Sequence, residues 1–208
     1  SVKEELRRVI PVIKALSRVV KVPVSIDTYK PEVAEAALDN GASIINDICG
    51  FRSLKMIDIA ARYRAGVVIM HMQGTPRTMQ RAPRYTSLMS QIIDFLDASI
   101  DRCLHGGIRK ESIIVDPGIC FGKTLEHNLG IIKHLREMKV LGRPILVGPS
   151  RKSFIGTISG TKPHERVPGT LAASVMASEN GCHMVRVHDV QAVSRALAIS
   201  DAIRKARI

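Results

Sequence analysis

Aromatic residues are scarce in this sequence, and its excess of positive charge is not gathered into one segment. Phenylalanine, tyrosine and tryptophan together make up 3% of the 208 residues. The formal net charge of +12 would favour anionic substrates or nucleic acid. However, lysine and arginine are spread over many predicted helices, there is no basic tail, and few rings are present for bases to stack on. The composition therefore argues against nucleic acid as a partner.

Cysteines are few and scattered, and long apolar runs are missing. Cys49, Cys103, Cys120 and Cys182 form no CxxC pair and have no histidine at ligand spacing. This usage is typical of reduced thiols in the cytoplasm and argues against a metal site built on cysteine. No apolar run approaches the length of a membrane span, and no signal-peptide pattern opens the chain. We therefore expect a cytoplasmic protein with no membrane partner.

Short apolar runs alternate with amphipathic segments along the whole chain. The predicted strands are 22–26, 43–45, 66–70, 112–115, 144–147 and 183–188. The predicted helices are 4–20, 32–38, 54–63, 87–104, 126–139, 167–180 and 190–205, and Pro11 is expected to kink or shorten the first. Continuous apolar strands between helices indicate a parallel sheet that is buried on both faces.

Two sheet topologies fit six β/α units, namely an open doubly wound sheet and a β/α barrel. No GxGxxG motif follows any strand, which argues against a dinucleotide-binding sheet. Polar residues at the end of every strand are typical of a barrel, whose site is built from many strand ends at one face. We therefore predict an α/β fold of the TIM-barrel type. No linker or change in composition divides the chain, so residues 1–208 are predicted to form one domain.

The run from His183 to His188 alternates apolar and cationic residues. This period of two predicts a strand with Arg186 and His188 on the same face. Arginine offers a planar fork of donors, and histidine can donate whether charged or neutral, so the pair suits an oxyanion such as phosphate. The alternative is that Arg186 caps a neighbouring helix and His188 is a satisfied core histidine.

Polar residues at other strand ends suit a nitrogen heterocycle. The carboxylates of Asp27 and Asp116 can each accept two parallel N–H bonds, while Asn46 suits a ring edge on which donors and acceptors alternate. Lys152 could donate to a ring oxygen or nitrogen, and Arg186 could also stack on the ring face. The set predicts a site for a 2-amino-4-oxo heterocycle next to a mono- or diphosphate. The alternative for each carboxylate is an ion pair or a helix N-cap.

The polar strand ends also carry motifs that resemble those of the dihydropteroate synthase family, the pterin-binding (β/α)8 barrels of folate synthesis. The motifs occur in the family's order from one end of the chain to the other. They are Val24–Thr28 with Lys30–Pro31, Ile44–Asp47, His71–Gly74, Asp116–Gly118 with Phe121–Lys123, Ser150–Ser153 and Arg186–Val190.

The resemblance implies a transferase that joins 6-hydroxymethyl-7,8-dihydropterin diphosphate to 4-aminobenzoate and releases pyrophosphate with the help of Mg2+. Diphosphate would leave early, and the aromatic amine would attack the pterin methylene carbon. The implied pterin contacts are Asp27, Asn46, Met70, Asp116 and Lys152. Those of the diphosphate are Arg186 and His188, and those of the aminobenzoate are Ser150, Phe121 and the stem of Lys152. Asp27, Lys152, Arg186 and His188 are the predicted catalytic residues, and none is predicted to ligate a metal. We also expect a homodimer and a target of sulfonamides.

The sequence departs from the family pattern in two ways. Cys120 stands where the family usually has glycine, which is expected to shift the loop on the aminobenzoate side. The chain also begins at Ser1, beyond the family's first two β/α units, one of which carries an Asn that binds diphosphate and Mg2+. We therefore expect an N-terminally truncated chain that exposes two apolar strand edges, associates through them and has little activity alone.

Two other functions remain open from the sequence. A methyltetrahydrofolate-dependent methyltransferase would share the pterin-binding barrel and could use Asp27, Asn46 and Asp116, but it does not need the pair Arg186 and His188. A non-catalytic pterin-binding fragment is the second alternative, because of the missing units. Turnover with the two synthase substrates separates these possibilities.

Overall fold

The computed structural model describes residues 1–206, which form two compact units. The helices and strands are α1 (Val2–Val19), β1 (Ser25–Asp27), α2 (Pro31–Asp39), β2 (Ile44–Asp47), α3 (Leu54–Arg62), β3 (Gly66–Met70), α4 (Leu88–His105), β4 (Ile113–Asp116), α5 (Leu125–Lys133), β5 (Leu146–Val147), α6 (Ser153–Ser159), α7 (Val167–Glu179), β6 (Met184–Val185) and α8 (Val190–Lys205). The first unit comprises residues 1–72 and 94–115, and the second comprises residues 73–93 and those from 116 onward. The single domain stays a prediction. No helix within residues 1–206 combines the length and apolar character that a membrane crossing needs.

The first unit contains a sheet in the order β1, β2, β3 and β4, and the first three strands pair in parallel. Their register places Asp27 beside Asn46 and Asn46 beside Val68. The strand centres are apolar, and Ile45 and Val67 are both 0% exposed. Burying an aliphatic side chain of this size stabilises the fold by about 1.5–3 kcal/mol. The buried strand centres therefore hold the register, and the register determines where the polar strand ends lie.

Two predicted boundaries in this unit are corrected by the structure. α1 is not shortened by Pro11, which lies inside it, and the Ser1 side chain caps its first turn by accepting from Glu4 N at 3.3 Å. β1 begins at Ser25 rather than at 22, because Val22 is 68% exposed and Pro23 has no N–H with which to join a ladder. The predicted strand was therefore too long at its start and one residue short at its end.

In the second unit β5 and β6 pair in parallel, with Leu146 opposite Met184 and Val147 opposite Val185. β6 ends at Val185, so the predicted strand over 183–188 is wrong beyond that residue. The Arg186 N–H still donates to the Val147 carbonyl at 2.9 Å, which fixes the direction in which the chain leaves the sheet.

Two helical segments of the second unit also differ from the prediction. The predicted helix over 126–139 divides into α5 and a 3-10 helix, Leu135–Leu141. Leu135, Met138 and Leu141 are all buried at a spacing of three, which is the period of a 3-10 helix. The sequence does not predict the short helix α6. It directly follows Lys152 and ends at Ser159, and the next residue is Gly160, whose φ of 67° is left-handed.

Candidate active site

The first group of predicted site residues lies toward the ends of β1, β2 and β3. Asp27 is exposed at the end of β1, and its strand partner Asn46 is 4% exposed in β2. Met70, the last residue of β3, is 0% exposed. We call Asp27, Asn46 and Met70 the sheet-end group. The structure thus places the predicted pterin contacts of the first unit on three adjacent strands, with the polar pair side by side.

Asp47, next to Asn46, shapes the turn that follows β2. Its carboxylate accepts from Cys49 N at 2.8 Å and from Phe51 N at 2.9 Å. Burial raises the pKa of the Asp47 carboxyl, and the charge of Asp27 acts in the same direction. The turn also holds Phe51 at a left-handed φ of 53°. Because Asp47 is engaged with the backbone, Asn46 is the better placed of the two to meet a ligand.

The central feature of the second unit is an ion pair between the buried Asp116 and the partly exposed Arg186. Asp116 is 1% exposed and lies at the end of β4. Its Oδ1 accepts from Gly118 N at 2.7 Å, and its Oδ2 accepts from Arg186 Nη2 at 3.0 Å. The sequence left an ion pair open as the alternative role of Asp116, and the structure shows this ion pair. Its cation is Arg186, which is itself a predicted site residue.

Lys152 lies over the ring of Phe121, with 4.5 Å between Nζ and the ring centroid. This is the range of a cation–π contact, in which the negative face of the ring attracts the ammonium group. The two residues come from the loops after β5 and β4, respectively. The structure thus brings together two residues that the sequence assigned to the aminobenzoate. We call Asp116, Phe121, Lys152 and Arg186 the Asp116 group.

The loop after β5 is tied to the loop after β6 by two side-chain contacts. Ser150 Oγ lies 2.8 Å from His188 Nδ1 and accepts from His188 N at 3.1 Å. Arg151 donates to both carboxylate oxygens of Asp189, at 2.9 and 2.6 Å, and this lowers the pKa of the Asp189 carboxyl. These contacts hold Arg151 at a left-handed φ of 54°. The predicted residues Ser150 and His188 are therefore direct neighbours.

The predicted placement of Arg186 and His188 on one strand face is wrong, because β6 ends before both. Arg186 turns to Asp116, whereas His188 lies against Ser150. His188 is exposed, so it is not the core histidine of the alternative interpretation, and the ion pair with Asp116 replaces a helix-capping role for Arg186. Their assignment to a diphosphate stays a prediction.

Lys123 is a buried cation that sequence reasoning gave no role. It is 4% exposed, and its Nζ donates to the Phe121 carbonyl at 2.9 Å. Burial lowers the pKa of Lys123 to about 7, although the charges of Asp116 and Cys120 oppose that change. Lys123 belongs to the motif Phe121–Lys123, but no periodicity in the sequence indicates that its side chain is buried.

Cys120, the departure from the family pattern, adopts a backbone conformation that favours glycine. Its φ is 68°, and the flanking Gly118 and Gly122 have φ values of 70° and 65°. The conformation is held by Asn128, whose Oδ1 accepts from Cys120 N at 2.7 Å, and by Gln80, which donates to Cys120 O at 2.6 Å. The predicted shift of the loop stays untested, but the geometry shows strain at this cysteine.

Replacing Cys120 by glycine should raise the free energy of unfolding by about 1 kcal/mol, because a side chain in the left-handed region costs about 1–2 kcal/mol. Chemical denaturation of the two proteins measures the change. The matched control is Cys49→Gly, since Cys49 has no left-handed φ and should lose stability. Equal losses in both variants would show that Cys120 is not strained.

Comparison with known proteins places these residues in a family. A family profile described as "Pterin binding enzyme" matches residues 1–188. The dihydropteroate synthase of Synechocystis sp. is 45% identical over 205 residues, which are 98% of this chain and 71% of that protein. That of Escherichia coli K12 is 42% identical over 207 residues, covering 100% of this chain and 73% of its own length. The chain thus spans nearly three quarters of these relatives.

Solved structures of dihydropteroate synthases also resemble this chain in fold and sequence. A Yersinia pestis dihydropteroate synthase in a sulfonamide drug complex is 40% identical, has a TM-score of 0.96, and covers 100% of this chain and 76% of its own. The Thermus thermophilus enzyme in complex with 6HMPPP is 44% identical with a TM-score of 0.93, over 97% of this chain and 80% of that one. The likeness confirms the predicted fold class, an α/β fold of the TIM-barrel type.

Proposed function

The chain belongs to the dihydropteroate synthase family of pterin-binding enzymes, and we propose that the Asp116 group and the sheet-end group supply its contacts to the substrates. The predicted transferase of folate synthesis is thereby confirmed. The reaction joins 6-hydroxymethyl-7,8-dihydropterin diphosphate to 4-aminobenzoate. Structures of relatives named with 6HMPPP and with 4-aminobenzoate support both as substrates here, and a relative's sulfonamide complex supports inhibition by such drugs.

The observation that carries the proposal is the buried Asp116 carboxylate with Arg186 on it. A carboxylate can accept from the adjacent N–H and NH2 groups of a 2-amino-4-oxo ring, since each oxygen has two lone pairs. Lys152 would donate to the same ring, and Asp27 and Asn46 remain the predicted ring contacts of the first unit. Met70 stays a predicted apolar contact, and its side chain is 0% exposed in the structure.

The diphosphate would be bound by Arg186 and His188, and the aminobenzoate by Ser150, Phe121 and the stem of Lys152. The bond from the pterin methylene carbon to the diphosphate oxygen breaks, and its electron pair leaves with pyrophosphate. A bond from the amine nitrogen to that carbon forms, and the amine then loses a proton to solvent. Positive charge beside the leaving group stabilises this step, while the Asp27 carboxylate stabilises positive charge on the ring. No dedicated base is needed, because the amine is acidic after attack.

Mg2+ stays a predicted cofactor that rests on the resemblance. Magnesium takes oxygen ligands in octahedral geometry, often one or two carboxylates with substrate phosphates. Within residues 1–206 no group of three or more His, Cys, Asp or Glu side chains could hold a metal. The described side chains alone therefore do not form a magnesium site. No step of the proposed substitution is assigned to the ion.

We also propose a homodimer in the cytoplasm. Exposed apolar side chains of α5, α6 and α7 line one groove of the second unit, among them Leu129, Ile158 and Met176. Such a patch is typical of a surface that another protein covers. The four free cysteines support a reducing compartment.

Replacing Lys152 by alanine should lower turnover by about 10- to 100-fold, since a hydrogen bond from a charged donor is worth about 1.5–3 kcal/mol. The melting temperature should hardly change, because Lys152 packs on a ring rather than filling the core. The control is Lys139→Ala, an exposed lysine of the same unit. A large loss of melting temperature with normal turnover would make Lys152 a structural residue.

The test of the proposed function is pyrophosphate release by the purified protein, measured also with the family's first two β/α units added before Ser1, because little activity is expected of the chain alone. Release should require both the dihydropterin diphosphate and 4-aminobenzoate, and omission of either should stop it. A folded protein that binds the pterin but releases no pyrophosphate would support the non-catalytic alternative. The relatives described above give no support to the methyltransferase alternative.

A further inference from the structure

Gly148, which directly follows β5, lies against the guanidinium group of Arg186. A Cβ added at Gly148 would be 3.0 Å from Arg186 Nη2, 3.4 Å from Nε and 3.5 Å from Cζ. The φ of Gly148 is not left-handed, so the backbone would accept alanine without strain. The glycine is therefore needed for space and not for conformation.

Arg186 is held from two sides. The missing side chain of Gly148 lets the flat guanidinium approach the backbone, and Asp116 Oδ2 accepts from its Nη2 at 3.0 Å. The Arg186 side chain is 39% exposed, whereas that of Asp116 is 1% exposed. The arginine thus joins a buried carboxylate to a surface that a ligand can reach. Pairing with Arg186 also offsets the cost of burying the Asp116 charge.

We propose that Gly148 is a positioning residue that keeps Arg186 on Asp116, so that recognition of the pterin ring and of the diphosphate depends on one shared contact. This rests on the proposed function of Asp116 and Arg186. A methyl group at position 148 removes no polar group, but the guanidinium must then shift by a few tenths of an ångström, which would weaken its contact with the Asp116 carboxylate. Both halves of the substrate would then lose affinity through the displaced arginine.

The experiment is a double-mutant cycle read by calorimetry, with pyrophosphate and 6-hydroxymethyl-7,8-dihydropterin as separate probes. Gly148→Ala should weaken the binding of each probe about tenfold, equivalent to about 1.4 kcal/mol. In an Arg186→Ala background the same change should have no further effect, because the methyl group then has nothing to displace. The control is Gly130→Ala in α5, where the added Cβ would meet only Leu88 Cδ2, at 3.4 Å.

A second variant, Arg186→Lys, tests the shared contact even if Gly148→Ala does not fold. Arg186→Lys keeps the charge but lacks the planar fork, so it should weaken both probes, not pyrophosphate alone. A loss confined to pyrophosphate, or an effect of Gly148→Ala that persists with Arg186→Ala, would overturn the inference. Failure of the unaltered protein to bind either probe would overturn the proposed function as well, whereas normal binding that Gly148→Ala leaves unchanged would overturn only this inference.

Discussion

Replacing Asp116 by asparagine should lower the affinity for the dihydropterin diphosphate by about 100-fold or more. The amide presents NH2 where the carboxylate accepts, so one ring donor would face another donor. Breaking a buried ion pair from one side costs about 3–5 kcal/mol in comparable cases. The loss in the free energy of unfolding should be smaller than this here, because Arg186 is 39% exposed and can turn to water. The main effect of Asp116→Asn should therefore be weaker substrate binding.

Calorimetry with the dihydropterin diphosphate and thermal unfolding of the same preparations separate the two effects. The matched control is Asp201→Asn, which breaks an exposed pair with Arg204 in the same unit and should alter neither quantity appreciably. Normal substrate affinity in Asp116→Asn would mean that this carboxylate serves only the ion pair.

Replacing Lys123 by methionine should remove a distinctive pH dependence of stability. Below pH about 7 Lys123 is protonated in the folded and the unfolded chain, so the cost of burying its charge is fully present. Above that pH the folded chain loses a proton that the unfolded chain keeps up to its ordinary pKa of 10.5. The free energy of unfolding should therefore rise between these values, by at most about 1.4 kcal/mol for each pH unit.

The useful window for this measurement is pH 7 to about 9. At higher pH the buried Cys103 and Tyr85, whose pKa values are raised to about 12, and Cys182, raised to about 11, act in the opposite direction. Denaturation at several pH values should show the free energy of unfolding of the unaltered protein rising with pH relative to that of Lys123→Met. Lys139→Met, at an exposed position, is the control. Parallel curves for all three proteins would show that Lys123 is not buried as a titrating group.

The positions of the strands could be predicted from sequence because each is a short apolar run bounded by turn residues. The sheet-end group followed from this, since Asp27 and Asn46 close two such runs and lie in register. Strand ends were less predictable. Val22 belongs to an apolar run but is exposed and lies outside β1. A strand forms only where a neighbouring strand supplies hydrogen bonds, and the pairing with β2 begins at Ser25.

The contacts of the second unit could not be predicted, because they join residues far apart in the sequence. Arg186 meets Asp116 across 70 positions, and His188 meets Ser150 across 38. The alternation around Arg186 and His188 predicts a strand, but these longer-range contacts decide where both side chains lie. Burial of Lys123 has the same origin, since its partner is a backbone carbonyl that leaves no trace in the residue pattern.

The most direct test of the account is a crystal structure of the protein with 6-hydroxymethyl-7,8-dihydropterin diphosphate. We expect the pterin N–H and NH2 groups to lie within hydrogen-bonding distance of the Asp116 carboxylate, with Lys152 donating to the ring. We also expect the diphosphate on Arg186 and His188. A pterin bound away from Asp116, with the ion pair to Arg186 intact and no contact to Lys152, would contradict the account.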